Sequence, residues 1–147
     1  MADVRRRDAV VLIRPYEDAD EPAVIALWNE DRSDTAPHND PATVIRNKLS
    51  VERDLFLVAV VDGAVVGTVM GGYDGHRGWV YAVVVEPSFR RRGLGSALIR
   101  RLEALLADRG CMKVNLQVRA TNAAVVAFYE QLGYAVEERV SMGKRLY

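Results

Sequence analysis

The stretch that decides the fold is Val83-Val84-Val85-Glu86-Pro87-Ser88-Phe89-Arg90-Arg91-Arg92-Gly93-Leu94-Gly95-Ser96-Ala97-Leu98-Ile99. Consecutive valines suit a buried strand, Pro87 stops it, and beyond Gly95 the apolar residues take up helical spacing. This predicts strand, turn, helix. The Arg-x-x-Gly-x-Gly between the two elements lets successive backbone N–H groups point one way, and the helix that follows turns the positive end of its dipole to the same spot. With the charges of Arg90, Arg91 and Arg92 beside it, such a turn is a cup for a pyrophosphate. Taken alone, the glycines also fit a plain tight turn, and the arginines also fit a solvated face or a nucleic-acid patch. Gly93-Leu94-Gly95-Ser96-Ala97-Leu98 lacks the third glycine of the dinucleotide fingerprint, and no Gly-Lys-Ser/Thr is present. The phosphate-bearing ligand is therefore expected to be neither NAD nor ATP.

Upstream, Trp79–Glu86 is the strand that feeds the cup, entered from a turn at Asp74-Gly75-His76-Arg77-Gly78. Leu55–Val61 and Ala64–Tyr73 read as strands joined by an Asp62-Gly63 hairpin, hence antiparallel. Asp40-Pro41 is an N-cap followed by proline, opening a helix through Val44, Ile45 and Leu49. An earlier helix follows the acidic turn Asp18–Pro22 and carries Val24, Leu27 and Trp28; before it lies a short strand, Val10–Arg14. Asp31, Asp34, His38 and Asn39 lie in the loop between the two helices, which fits either an acceptor pocket or a solvated loop.

Downstream, the helix after the cup puts Leu94, Leu98, Leu102, Leu105 and Leu106 on one side and Arg100, Arg101 and Asp108 on the other, ending at Gly110. Met112–Val118 follows as a strand, parallel to the one before because a helix joins them. Asn122–Leu132 has helical spacing, with Thr121 as N-cap and Gly133 as terminator. Tyr134–Val140 and Ser141–Tyr147 are expected as two final strands. The sum is a mixed α/β fold, a sheet flanked by helices.

At 147 residues the chain is expected to form one domain, 1–147, with a loose polar arm over Met1–Asp8. Acidic and basic residues balance at 20 each, so no global field draws it to nucleic acid or an acidic membrane. The lone Cys111 fits a reducing, cytoplasmic setting and a buried structural thiol. No signal peptide or membrane span is seen in the pattern. His38 and His76 have no ligand-like spacing to each other or to Cys111, so no metal is expected.

Two motifs at the right distance carry a family resemblance. Val83–Ile99, followed by Asn122-Ala123-Ala124-Val125-Val126-Ala127-Phe128-Tyr129-Glu130-Gln131-Leu132-Gly133-Tyr134, resembles the GCN5-related N-acetyltransferases (GNAT) over nearly the whole chain. Within them, Gly67–Gly78, Leu132-Gly133-Tyr134 and Gly143-Lys144-Arg145-Leu146 resemble the bacterial YpeA-like acetyltransferases. A more distant similarity is to bacterial enzymes that acetylate the N-terminus of a ribosomal protein. The resemblance implies the GNAT fold, with about seven strands, about four helices and a splayed parallel pair in the middle of the sheet. It implies acetyl-CoA as cosubstrate and an amine acceptor, a small molecule or a protein N-terminus, and it allows a homodimer.

The resemblance also implies roles. Val83, Val84 and Val85 would receive the pantetheine arm as an added strand, with a backbone N–H there stabilising the oxyanion. Arg91, Arg92, Gly93, Leu94, Gly95 and Ser96 match the pyrophosphate loop. Asn122 matches a contact to the cofactor arm, though its residue type equally suits a helix cap. Tyr129 matches the donor of a proton to the departing thiolate, which a phenol can supply once held in reach; on spacing alone it is a core aromatic. Gln117 stands where the N-terminal acetylating relatives have a glutamate base, and an amide is no base. Asp74, His76 and Tyr81, near the start of the entering strand, could relay a proton through water; a turn cap and a surface histidine are the plainer roles of the first two. A non-catalytic acyl-CoA module and a small nucleic-acid-binding domain are the rival classes.

Overall fold

The computed structural model describes residues 10–31 and 39–147, and of Asp31 the backbone alone. The expected arm Met1–Asp8, the loop residues Asp34 and His38 and the side chain of Asp31 lie outside the described residues. The chain divides after Leu116 into two compact units.

The first unit runs β1 (Val11–Pro15), α1 (Glu21–Asp31), α2 (Pro41–Leu49), β2 (Phe56–Val61), β3 (Ala64–Tyr73), β4 (Gly78–Val85), α3 (Leu94–Asp108) and β5 (Val114–Leu116). Its sheet has the order β1-β2-β3-β4-β5, antiparallel throughout except for the parallel pair β4–β5. Asp62 and Gly63 both take positive φ, 50° and 78°, the conformation that matches a two-residue loop to the twist of its flanking strands.

Alternation along β2 explains why helices cover both faces. Leu57, Ala59 and Val61, with Leu55 just before the strand, bury on the side of α3 against Leu94, Leu98, Leu102 and Leu106. Phe56 and Val58 bury on the other side, against Val24 of α1, Ile45 of α2, Tyr16 and Met70. Each Val, Leu, Ile, Phe or Met side chain so buried contributes roughly 1.5–3 kcal/mol of transfer free energy. α3 lies close on β3 because glycines leave room: a Cβ on Gly67 would meet Leu98 Cδ1 at 3.1 Å and the Val84 carbonyl oxygen at 3.3 Å, and one on Gly71 would meet Leu102 Cδ1 at 2.5 Å.

In the second unit α4 (Ala123–Gln131) is the regular element. Its N-cap is Asn122, whose side chain accepts from the Val125 N–H at 3.3 Å, rather than Thr121. The helix ends as expected at Gly133 (φ 95°), with the Tyr134 N–H returning to the Tyr129 carbonyl at 3.1 Å.

The structure corrects the expected strand count. Among the described residues the sheet has five strands, not about seven: residues 134–147 form none, and Val136, Val140, Met142 and Leu146 are exposed. With no side-chain row buried, nothing fixes a pairing register there. The parallel pair consequently stands at one edge of the sheet rather than in its middle. Cys111 is half-buried rather than buried, its Sγ donating to the Lys113 carbonyl at 3.3 Å.

One ion pair ties β1 to the turn that starts α1. The Arg14 guanidinium donates to both oxygens of Asp20, at 2.7 and 2.9 Å, and the Asp20 carboxylate also accepts the Glu17 N–H at 2.8 Å. The Arg14 bond, more than any other influence, holds the Asp20 carboxyl below its usual range. Because that folded value lies below the unfolded one of about 4, its stabilisation is complete above that pH and is lost as pH falls through the folded value. Asp20→Ala is expected to cost roughly 3 kcal/mol at pH 7 in urea unfolding, with the deficit shrinking as pH is lowered towards 3.

Candidate active site

β4 is the axis of the site. It pairs with β5 only from Gly78 to Val80, yet continues to Val85 against β3. Among the described residues, Tyr81–Val85 thus have a strand partner on one edge alone. The Glu86 N–H donates to the Val66 carbonyl at 2.8 Å, so alternation turns the N–H and C=O of Val85 and Val83 to the open edge. The Val85 carbonyl there is met by Arg90 Nε at 3.2 Å.

A bulge interrupts the strand at the head of this edge. Thr68 stands opposite Val84 and Met70 opposite Tyr81, so Val69 alone faces Ala82 and Val83. Ala82 takes φ 52°, uncommon for a residue with a side chain. It is held there: Thr68 Oγ1 donates to the Ala82 carbonyl at 2.9 Å and accepts from Trp28 Nε1 at 2.9 Å. Thr68 is fully buried, and the Trp28 indole stacks on Phe56, with ring centroids 5.9 Å apart.

The strand runs directly into the cup. Glu86 caps a short turn at Pro87–Phe89 by accepting the Ser88 N–H at 3.2 Å, and Arg91 (φ 64°) and Gly93 (φ 77°) then bend the chain into α3. The first intrahelical bond is from the Ala97 N–H to the Gly93 carbonyl, 3.0 Å, which leaves the N–H groups of Leu94, Gly95 and Ser96 at the helix mouth with no partner in the helix. A Cβ on Gly93 would find nothing within 4 Å, so the mouth is open. Arg90, Arg91 and Arg92 are exposed around it, Arg92 over the Phe89 ring at 5.3 Å. The donor set fits a pyrophosphate: backbone N–H groups, a helix dipole and cations converge with no carboxylate among residues 90–96.

Beside the head of β4 lies an open cleft of about 330 Å³ lined by Val44, Asn47, Lys48, Val51, Glu52, Met70 and Tyr81. Lys48 is only 6% exposed. Its Nζ donates to the Gly71 carbonyl and stands 5.7 Å from the centre of the Tyr81 ring. Burial pushes the ammonium below the usual lysine value; Glu52 opposes this and Arg109 adds to it. Both Glu52 oxygens accept the Tyr73 N–H at 3.1 Å, and Arg109 bridges Glu52, at 3.3 Å, to Asp54. Burial, with Glu52 second, pushes the Tyr81 phenol up. Sequence reasoning missed Lys48 and Glu52. The signal was a lysine inside the inward stripe Val44, Ile45, Lys48, Leu49.

The other proposed relay residues sit in the turn before β4. Asp74 Oδ1 accepts the N–H groups of His76 at 2.8 Å and Arg77 at 2.7 Å, and these bonds hold its carboxyl below the usual range. That makes it an Asx cap and a weak proton acceptor. His76 is exposed beside Arg77. In the second unit, Gln117 Nε2 donates to Ser141 Oγ at 2.5 Å, and Asn122 spends its side-chain oxygen on the helix cap. Tyr129 is buried, edge-on to Phe128 and Tyr134, and burial pushes its phenol up.

The comparisons agree with this architecture. The family model described as acetyltransferase (GNAT) matches residues 21–134. Acetyltransferase YE1169 of Yersinia enterocolitica is 50% identical over 134 residues, 91% of this chain and 94% of that protein. The ribosomal-protein-S18-alanine N-acetyltransferase of Escherichia coli superposes with a TM-score of 0.72 at 28% identity, over 84% of this chain and 77% of that one. The aminoglycoside N-acetyltransferase AAC(6')-Iy, solved with CoA, shares the fold with a TM-score of 0.75 over 95% and 97% of the two chains at 19% identity. The chain belongs to the acetyltransferase (GNAT) family and is an acyl-transferring enzyme.

Thr68→Val tests the tether of the bulge. Losing the hydroxyl strands the Trp28 N–H and the Ala82 carbonyl, and is expected to lower stability by about 2 kcal/mol in urea unfolding.

Proposed function

We propose that the chain is an acetyl-CoA-dependent N-acetyltransferase that passes the acetyl group directly to a primary amine, a small molecule or a protein N-terminus, in a ternary complex. The observation that carries this reading is the open edge of β4 leading through one short turn into the anion cup. An extended pantetheine arm has the hydrogen-bonding groups to add to that edge as a strand, while the pyrophosphate occupies the N–H groups of Leu94, Gly95 and Ser96.

In this reading the neutral amine attacks the thioester carbonyl, so that a C–N bond forms and the C–S bond breaks. A backbone N–H on the open edge, at Val83 or Val85, receives the developing oxyanion. Tyr129 gives its proton to the departing thiolate, a role resting on its match to the family motif; its raised phenol keeps that proton bound through neutral pH. Asn122 contributes its amide to the cofactor arm. The amine's own proton passes to water or a relay; of Asp74, His76 and Tyr81, Tyr81 alone lines the cleft. A cytoplasmic setting fits the lone Cys111, and among the described residues no helix is long and apolar enough to cross a membrane. A homodimer belongs to the same proposal.

Calorimetry with acetyl-CoA tests the cup. Gly93→Asp is expected to weaken binding at least 100-fold, whereas Gly93→Asn, which tolerates the same φ without the charge, is expected to weaken it far less. Equal effects would contradict a phosphate at that position. Tyr129→Phe is expected to leave acetyl-CoA affinity unchanged and to lower kcat about 100-fold, measured by thiol release with a panel of amines. A non-catalytic acyl-CoA module would bind the coenzyme and release no thiol with any of them.

A further inference from the structure

The cleft at the head of β4 holds a buried cation whose partners among the described residues leave part of its hydrogen-bonding capacity unused. Lys48 carries three N–H donors; the Gly71 carbonyl accepts one, and the Tyr81 ring centre lies 5.7 Å from Nζ. Among the described residues no carboxylate makes a salt bridge with it. The nearest carboxylate influence is Glu52, which acts on Lys48 through space without a salt bridge and is itself engaged by Arg109 and the Tyr73 N–H. A buried ammonium so thinly compensated is costly, and a site that keeps one is suited to a group that completes it. From the charges and positions of these residues we propose that the acceptor carries a carboxylate close to its amine, as a free amino acid does, and that Lys48 anchors this carboxylate. The inference rests on the transferase reading given above.

The other lining groups narrow the choice. Glu52 shares the cleft, its charge balanced through Arg109. One ammonium facing one carboxylate suits a ligand with one charge of each sign and disfavours a doubly charged phosphate, which Glu52 would repel. Each Glu52 oxygen has lone pairs beyond those used by Tyr73 and Arg109, enough to accept an acceptor N–H. Val44, Val51 and Met70 supply an apolar wall for a short side chain, in a volume suited to a small molecule. Tyr81 immediately precedes the bulge at Ala82, so an acceptor held at Lys48 lies beside the open edge where the thioester is proposed to sit.

The test pairs free L-amino acids with their own amides, same side chain and same amine position, each scored by thiol release from acetyl-CoA. The amide's amine is the less basic and more often neutral, so intrinsic reactivity favours the amide. The wild-type protein is expected to prefer the free acids at least tenfold in kcat/KM. Lys48→Met is expected to bring that ratio to one or below with acetyl-CoA affinity unchanged, and Lys48→Arg to retain part of the preference. A urea midpoint for each variant separates a lost anchor from a lost fold. Amides used as well as or better than the acids by the wild type would overturn this inference alone, as would an unchanged ratio in folded Lys48→Met. No turnover of any amine with acetyl-CoA bound would overturn this inference and the transferase reading together.

Discussion

A strand that outruns its neighbour is the constraint on which the rest depends. β4 loses β5 after Val80 and keeps β3 through Val85, so main-chain donors and acceptors at Val83 and Val85 face an edge that no strand among the described residues covers. Such an edge invites an added strand, and the surrounding features are arranged around it. The bulge at Ala82 sets which residues turn outward, and the Trp28–Thr68 relay, anchored in the aromatic cluster under α1, holds the bulge in place. The glycines of β3 let α3 lie close on the sheet, so the helix that supplies the cup begins where the edge ends.

The two ends of this edge are opposite in character. At the Val85 end an exposed helix mouth and three arginines offer donors to a highly charged anion, and solvent access keeps those charges inexpensive when no ligand is there. At the Tyr81 end Asn47, Val51 and Tyr81 are exposed, but the cation among them is buried and its ionisation is opposed by desolvation. A fold selected for stability alone would favour a methionine at position 48. That the lysine sits there, with Glu52, Arg109 and Asp54 strung beside it in alternating sign, points to recognition rather than to packing.

Much of this was legible in the sequence because it is local. The strand, cup and helix of Val83–Ile99, the hairpin at Asp62-Gly63, the Asp40-Pro41 helix start and the Gly133 stop depend on residue types within a few positions of one another. The leucine stripe of α3 was equally plain, since Leu94, Leu98, Leu102 and Leu106 repeat at one helical face. Thr121 and Asn122 are both good caps, and adjacent candidates cannot be separated by type. The bulge was hidden because it is a mismatch between two strands, visible only when Val69 is seen facing two residues. Lys48 was hidden because its meaning comes from Tyr81 and Gly71, far away in the chain. The apolar residues of 134–147 suggested strands, but apolar character without a buried face does not fix pairing.

The claim at the centre is that the coenzyme's arm completes the sheet along β4. Amide hydrogen exchange with and without acetyl-CoA tests this most directly. The account predicts that the coenzyme slows exchange at the N–H groups of Val83 and Val85 and at Leu94, Gly95 and Ser96, while β2 amides, already paired on both sides, change little. Protection confined to the helix mouth, with Val83 and Val85 exchanging as in the free protein, would contradict it.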